Sequence, residues 1–138
     1  MSTMNPRITH WRGQRVWVIG ASTGIGAETA KLLLSLGARV ALSARTEASL
    51  REVAGTHAQA VVLPLDVTDS AQLAAARDRL LADWQRIDLV LLVAGIYGEM
   101  RADSIHMNVV NRTLDVNLRG VFSGLHAVLP TLLAQQGG

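Results

Sequence analysis

Three glycines within seven residues, Gly20, Gly24 and Gly26, constrain this chain more than any other feature, because of what flanks them. The residues before them, VWVI at 16–19, are apolar and mostly β-branched. The residues after them place Ile25, Thr29, Leu32, Leu33 and Leu36 at helical spacing. A strand therefore runs into a helix through a turn in which only Ala21, Ser22 and Thr23 separate the first two glycines. One tight turn needs one glycine; three permit positive φ and also close approach of a ligand to the main chain. The unbonded N–H groups of the helix's first turn face the same spot, and the positive end of the helix dipole adds to them. The turn is thus read as a phosphate cradle.

Around it the pattern alternates. A polar lead-in at 1–14 ends with Gly13, a strand follows at 16–20, and the first helix stops at Gly37, a natural residue just past a helix end. A second strand is predicted at 39–44, a short helix at 47–54 and a third strand at 60–65. Asp69 with Gln72 three residues later has the form of a capping box, opening a helix to about Trp84 with Leu73, Ala76, Leu80, Leu81 and Trp84 inward. The fourth strand, 88–93, contains five consecutive apolar residues, as suits a parallel strand covered on both faces. After a loop at 96–101, a long helix from about 109 to 135 carries Leu114, Leu118, Val121, Phe122, Leu125, Val128, Leu129, Leu132 and Leu133 as an apolar stripe, with Pro130 expected to bend it or thin its hydrogen bonding. The fold class is α/β: a Rossmann-like, doubly wound parallel sheet, incomplete at about four strands with flanking helices, with the glycine turn at the carboxyl end of its first strand.

Length and composition narrow the functions. At 138 residues the chain is one domain, short for a complete dinucleotide-binding enzyme. The pI near 9.9 suggests nucleic acid, yet the formal charge is only +2. Twelve of the thirteen basic residues are arginine, so little titrates between neutrality and high pH, and they are scattered without a basic stripe. No nucleic-acid partner is expected. His10, His57, His106 and His126 lie far apart, so no metal site is expected. The absence of cysteine, of an apolar leader and of any bilayer-length apolar run fits a cytoplasmic protein without a membrane partner.

The second strand ends where a dinucleotide fold selects its cofactor. An acid there accepts from the adenosine ribose hydroxyls, and an arginine pairs instead with a 2′-phosphate. Here Ala44 takes the acid's place and Arg45 follows. A guanidinium is built for bidentate phosphate pairing, which favours NADP(H) over NAD(H). A solvated surface role for Arg45, or a share of the task for Arg51, stays open.

The spacing Gly-x-x-x-Gly-x-Gly resembles the glycine motif of the short-chain dehydrogenase/reductase family, whose usual form begins with threonine where Ile19 stands. The resemblance implies cofactor contacts at Gly20, Ser22, Thr23, Gly24, Ile25 and Gly26. Asp66-Val67 after the third strand resembles the family's aspartate that accepts from the adenine amino group; ending a strand is its other local reading. Ala94-Gly95 matches the end of Asn-Asn-Ala-Gly, whose asparagines are replaced by Leu92 and Val93. Losing polar groups on both sides of a buried hydrogen bond can be nearly neutral, so the Ile19 and Leu92-Val93 departures are read as linked. Val116-Asn117-Leu118 with Gly120 resembles Val-Asn-Leu-x-Gly, which implies that Asn117 is the catalytic-tetrad asparagine.

The resemblance covers residues 16–138 and ends before the family's catalytic serine and Tyr-x-x-x-Lys. The only tyrosine, Tyr97, is followed four residues on by Arg101, but it precedes Asn117, and arginine does not give up its proton; the only lysine is Lys31. Residues 1–138 are therefore read as a single NADP-binding Rossmann-like domain, the cofactor-binding portion of an oxidoreductase acting on a carbonyl or alcohol, with no turnover expected of the chain by itself. A non-catalytic dinucleotide-binding or interaction module is the alternative; a Tyr-x-x-x-Lys in the coding frame beyond Gly138 would favour the enzyme. In this family the long helix usually joins subunits, which implies a homo-oligomer. An uncovered fourth strand predicts self-association of the chain.

Overall fold

In the computed structural model, which describes residues 8–136, the glycine turn joins β1 (Arg15–Ile19) to α1 (Gly24–Ser35). There follow β2 (Arg39–Ser43), α2 (Glu47–Ala54), β3 (Ala60–Val62), α3 (Ser70–Trp84), β4 (Leu89–Leu92), α4 (Met107–Leu114), a π-helical turn (Asp115–Arg119) and α5 (Gly120–Ala134). All strand pairs are parallel and the order is β3-β2-β1-β4. The order reverses between β1 and β4, so the carboxyl ends of these two strands flank the position where open α/β sheets bind ligands.

β1 anchors both layers. Val16 and Val18 face a cluster with Ala27, Ala30 and Leu33 of α1 and Leu50 of α2, whereas Trp17 and Ile19 face Leu73, Leu80 and Trp84 of α3 and Val128 of α5. These four of the five β1 side chains are buried, at roughly 1.5–3 kcal/mol of burial each. The Trp17 Nε1–H donates to Ser43 Oγ at 2.9 Å, which satisfies a fully buried hydroxyl. Side-chain clamps hold the α5 layer: Arg77 Nη1 of α3 donates to the Ala127 carbonyl, and Gln135 exchanges two hydrogen bonds with the Ile87 backbone.

Several expectations need correction. Of the stripe read on α1 only Leu33 is buried: Ile25, Leu32 and Leu36 are exposed, and Leu33 packs inward with Gly26, Ala27, Ala30 and Leu34, because small residues let the helix lie close to the sheet. β3 ends at Val62 rather than 65. Pro64 has no N–H to give, although Leu63 and Leu65 still donate to the Leu42 and Ala44 carbonyls. Asp69 caps α3 through Ala71 and Gln72 N–H as expected, but Gln72 Oε1 takes the Asp66 N–H and not that of Asp69. The long helix is present but interrupted. A π-helical turn interrupts it at Asp115–Arg119, and α5 runs through Pro130 without ending. Its apolar stripe also splits, with Val128 buried and Leu114, Leu118, Phe122, Leu129 and Leu133 exposed. β4 pairs only with β1 among the described residues, and its side chains are half-buried. Residues 1–7 of the lead-in and Gly137-Gly138 lie outside the described residues.

Candidate functional site

The glycine turn is held from below by β2. The N–H groups of Gly20 and Ala21 both donate to the Ser43 carbonyl, at 2.7 and 3.1 Å. Gly20 has φ +104, and a Cβ there would collide with the Ala94 backbone; a Cβ at Gly26 would collide with the Gly20 carbonyl oxygen. Two of the three glycines are thus demanded by the crossing of the turn, the start of α1 and the end of β4. N-terminal to α1 the cap residue Thr23 makes no side-chain bond to the helix, so the first-turn amides are left to another acceptor.

Beside this turn a cleft of about 160 Å³ opens at the carboxyl ends of β1, β2 and β4. Gly20, Ser22, Thr23, Arg45, Asp66, Val67, Ala94 and Gly95 line it together. Gly24, Ile25 and Gly26 form the first turn of α1 and do not line it, and Ile25 points outward. The wall also contains Ile19, Ala44, Thr46, Leu65, Val93, Ile96 and Val116, which the sequence reading did not assign to the site. Each adjoins an assigned residue, Val116 through Asn117, so adjacency was the available signal.

Arg45 is exposed at the end of β2 and makes no hydrogen bond or ion pair with any described residue. Arg51 does: its Nε donates to Glu47 Oε1 at 2.9 Å on α2, away from the cleft. Asp66 is held from several sides. Its Oδ1 accepts from Thr68 N–H at 2.9 Å and Thr68 Oγ at 2.7 Å, and its Oδ2 accepts from Arg112 Nη2 of α4 at 3.3 Å. Burial pushes this carboxyl up, but the Thr68 amide and hydroxyl and the Arg112 guanidinium outweigh burial and hold it below the ordinary carboxylate value. Val67 turns its side chain inward against Gly120.

Asn117 sits in the π-helical turn, where its amide brackets one residue of the cleft wall: Nδ2 donates to the Ile96 carbonyl and Oδ1 accepts from Ile96 N–H, both at 2.8 Å. A π-helical turn is rare and recurs at functional sites. Here it supports the segment that follows Gly95. Tyr97 is 87% exposed and Arg101 pairs with Asp103, so these two do not form an acid/base couple in the cleft.

The two departures meet in space. Ile19 and Leu92 are register partners across β1 and β4, and both belong to the cluster under α5. Val93, by contrast, lies on the other side, against Gly26. Ile19 and Leu92 thus set two apolar residues side by side, and the Val93 N–H donates to the Ile19 carbonyl at 2.9 Å.

These residues fit an elongated anionic ligand. The turn offers amides and a helix N-terminus, Arg45 offers an unpaired cation, and Asp66 offers an acceptor. At Gly95 a Cβ would meet only the Asn117 side chain, at 3.7 Å or more, an ordinary contact, so packing does not require a glycine there.

A parallel sheet in this order, with a glycine turn at its switch point, defines a Rossmann-like α/β protein. The sequence profile described as short chain dehydrogenase matches residues 14–138, and the chain belongs to that family. It is 35% identical over 129 residues to the 2-(R)-hydroxypropyl-CoM dehydrogenase of Xanthobacter autotrophicus, covering 88% of this chain and 52% of that protein. An uncharacterized oxidoreductase of Listeria monocytogenes is 30% identical over 125 residues, 88% of this chain and 50% of the relative. Among solved structures, serine dehydrogenase from Escherichia coli superposes with a TM-score of 0.85 at 25% identity, over 91% of this chain and 59% of that one. A short-chain type dehydrogenase/reductase from Mycobacterium marinum gives 0.83 at 30%, over 91% and 53%. The chain thus spans about half the length of the curated relatives it matches. Membership of this family implies a nicotinamide dinucleotide as cofactor. No helix among the described residues is long and apolar enough to cross a membrane.

Proposed function

We propose that residues 1–138 form the NADP(H)-binding portion of an oxidoreductase that interconverts a carbonyl and an alcohol, and that the protein is cytoplasmic. The observation that carries the reading is the unpaired Arg45 at the rim of a cleft whose other wall is the glycine turn, with no acid at Ala44. In that reading the turn amides at Ser22 to Gly26 and the positive end of α1 hold the pyrophosphate. Arg45 with Thr46 holds the 2′-phosphate, Asp66 accepts from the base, and Ala94-Gly95 lets the dinucleotide lie against the backbone. The nicotinamide, when bound, supplies or accepts the hydride. Asn117 fixes the Ile96 backbone at the edge of the reacting region. The proton-transferring tyrosine and its lysine are not at their family positions within these residues, so the chain by itself binds and orients without completing the reaction.

The test is equilibrium binding of NADPH and NADH. NADPH is expected to bind about tenfold or more tightly, one charge-assisted phosphate pair being of that order. Arg45→Asp should abolish or invert the preference while leaving the melting temperature unchanged. An unaltered NADPH/NADH ratio in Arg45→Asp would remove the assignment.

The proposal extends to a homo-oligomer built on α5. Leu118, Phe122, Leu129 and Leu133 are exposed along one side of this helix and its π-helical turn, an arrangement that suits helix-to-helix association. Light scattering is expected to show a species larger than the monomer at micromolar concentration, and Phe122→Glu should reduce its mass. A monodisperse monomer of the unaltered chain would refute it.

A further inference from the structure

Among the described residues the Arg112 side chain has one hydrogen-bond partner, a residue of the cleft 46 positions away: its Nη2 donates to Asp66 Oδ2 at 3.3 Å. The geometry around Asp66 is asymmetric. Oδ1 already accepts two hydrogen bonds, from Thr68 N–H and Thr68 Oγ, which use both of its lone pairs. The Asp66 N–H is itself engaged by Gln72 Oε1. All acceptor capacity that remains is on Oδ2, which Arg112 shares from α4 while Asp66 lines the cleft. The two ends of this pair belong to elements far apart in the chain: a loop after β3 and a helix after the 96–101 loop. The contact is a single hydrogen bond rather than a fork, so it fixes an oxygen and offsets a charge without consuming both lone pairs.

We propose that Arg112 is a positioning residue for base recognition: it holds Asp66 so that one acceptor site on Oδ2 faces a donor on the nucleotide base, which makes the cleft favour an amino-bearing purine over its oxo counterpart. The inference rests on the dinucleotide reading above. Adenine presents an exocyclic amino donor; hypoxanthine presents a carbonyl oxygen in its place, which a carboxylate repels. Thr68 cannot do this alone, because its bonds hold the opposite oxygen. Arg45 and the glycine turn act on phosphates and are indifferent to the base.

The experiment compares NADPH with its hypoxanthine analogue, binding of each being measured by calorimetry on the unaltered chain and on Arg112→Met and Arg112→Lys. The unaltered chain should bind NADPH about tenfold more tightly than the analogue, the scale of one hydrogen bond to a charged group. Arg112→Met should bring that ratio close to one while the NADPH/NADH ratio set at Arg45 is kept. Arg112→Lys should restore most of it, since a monodentate contact needs a point charge and not a planar fork. A merely structural role for Arg112 would weaken every nucleotide alike. Retention of the adenine preference in Arg112→Met, or equal loss for all the nucleotides, would overturn the inference while leaving the cofactor reading intact. Failure of the unaltered chain to bind NADPH or the analogue would overturn the cofactor reading, and this inference with it.

Discussion

Gly26→Ala is expected to lose about 3 kcal/mol of stability or more, and with it all measurable NADPH binding. Its Cβ would occupy the place of the Gly20 carbonyl oxygen, which is backbone and has no rotamer through which to escape. Relief requires α1 to lift from the sheet or the turn to open. Either movement breaks the pair of bonds by which Gly20 and Ala21 hold the Ser43 carbonyl. Urea unfolding of the variant beside the unaltered chain measures the loss. Gly95→Ala is the matched control, because its Cβ meets only an ordinary contact. It should change stability by less than about 0.5 kcal/mol and still weaken NADPH, since the proposed dinucleotide lies against that backbone. Normal stability in Gly26→Ala would refute the packing account. Unchanged binding in Gly95→Ala would remove Gly95 from the site.

The contrast between these glycines shows what a sequence can carry. Spacing alone located the turn, because three glycines between a strand pattern and a helix pattern have few structural uses. It did not reveal that Gly20 and Gly26 serve the fold while Gly95 leaves space. Periodicity also found α1 but, Leu33 apart, not its buried side. Two overlapping stripes run along that helix, and the one with the larger residues, Ile25, Leu32 and Leu36, is outside because Ala27 and Ala30 permit the closer approach. On the long helix, Pro130 drew the expectation of a bend. The π-helical turn, which was not expected, falls where Asn117 ties itself to the Ile96 backbone, a contact across 21 residues that no local pattern encodes. Arg112 was illegible for the same reason: its meaning comes from Asp66, an acid on another element. Asp66 and Arg45 were legible because each follows the end of a strand, and the carboxyl ends of parallel strands converge on one edge of the sheet.

The second large effect concerns the Ile19–Leu92 contact, and a double-mutant cycle tests it. Ile19→Thr removes apolar volume from a side chain that is 1% exposed and buries a hydroxyl facing Leu92, at a cost of about 2 kcal/mol. Leu92→Asn is expected to cost about 3 kcal/mol. Its side chain packs against Gly124 of α5, where a Cβ would lie 2.5 Å from Leu92 Cδ2, so the shorter amide leaves a void there as well as an unmet polar group. If the two positions are linked as register partners, the double variant should be less destabilised than the sum by about 1 kcal/mol or more, because each new polar group gives the other a partner. The void beside Gly124 is not refilled, so full recovery is not expected. Strict additivity in denaturant unfolding would mean that the threonine and the asparagines were replaced independently. Coupling would instead identify Ile19 and Leu92 as one exchange of a hydrogen bond for an apolar contact, made beneath the cleft without moving the Val93 N–H from the Ile19 carbonyl that holds β4 beside the glycine turn.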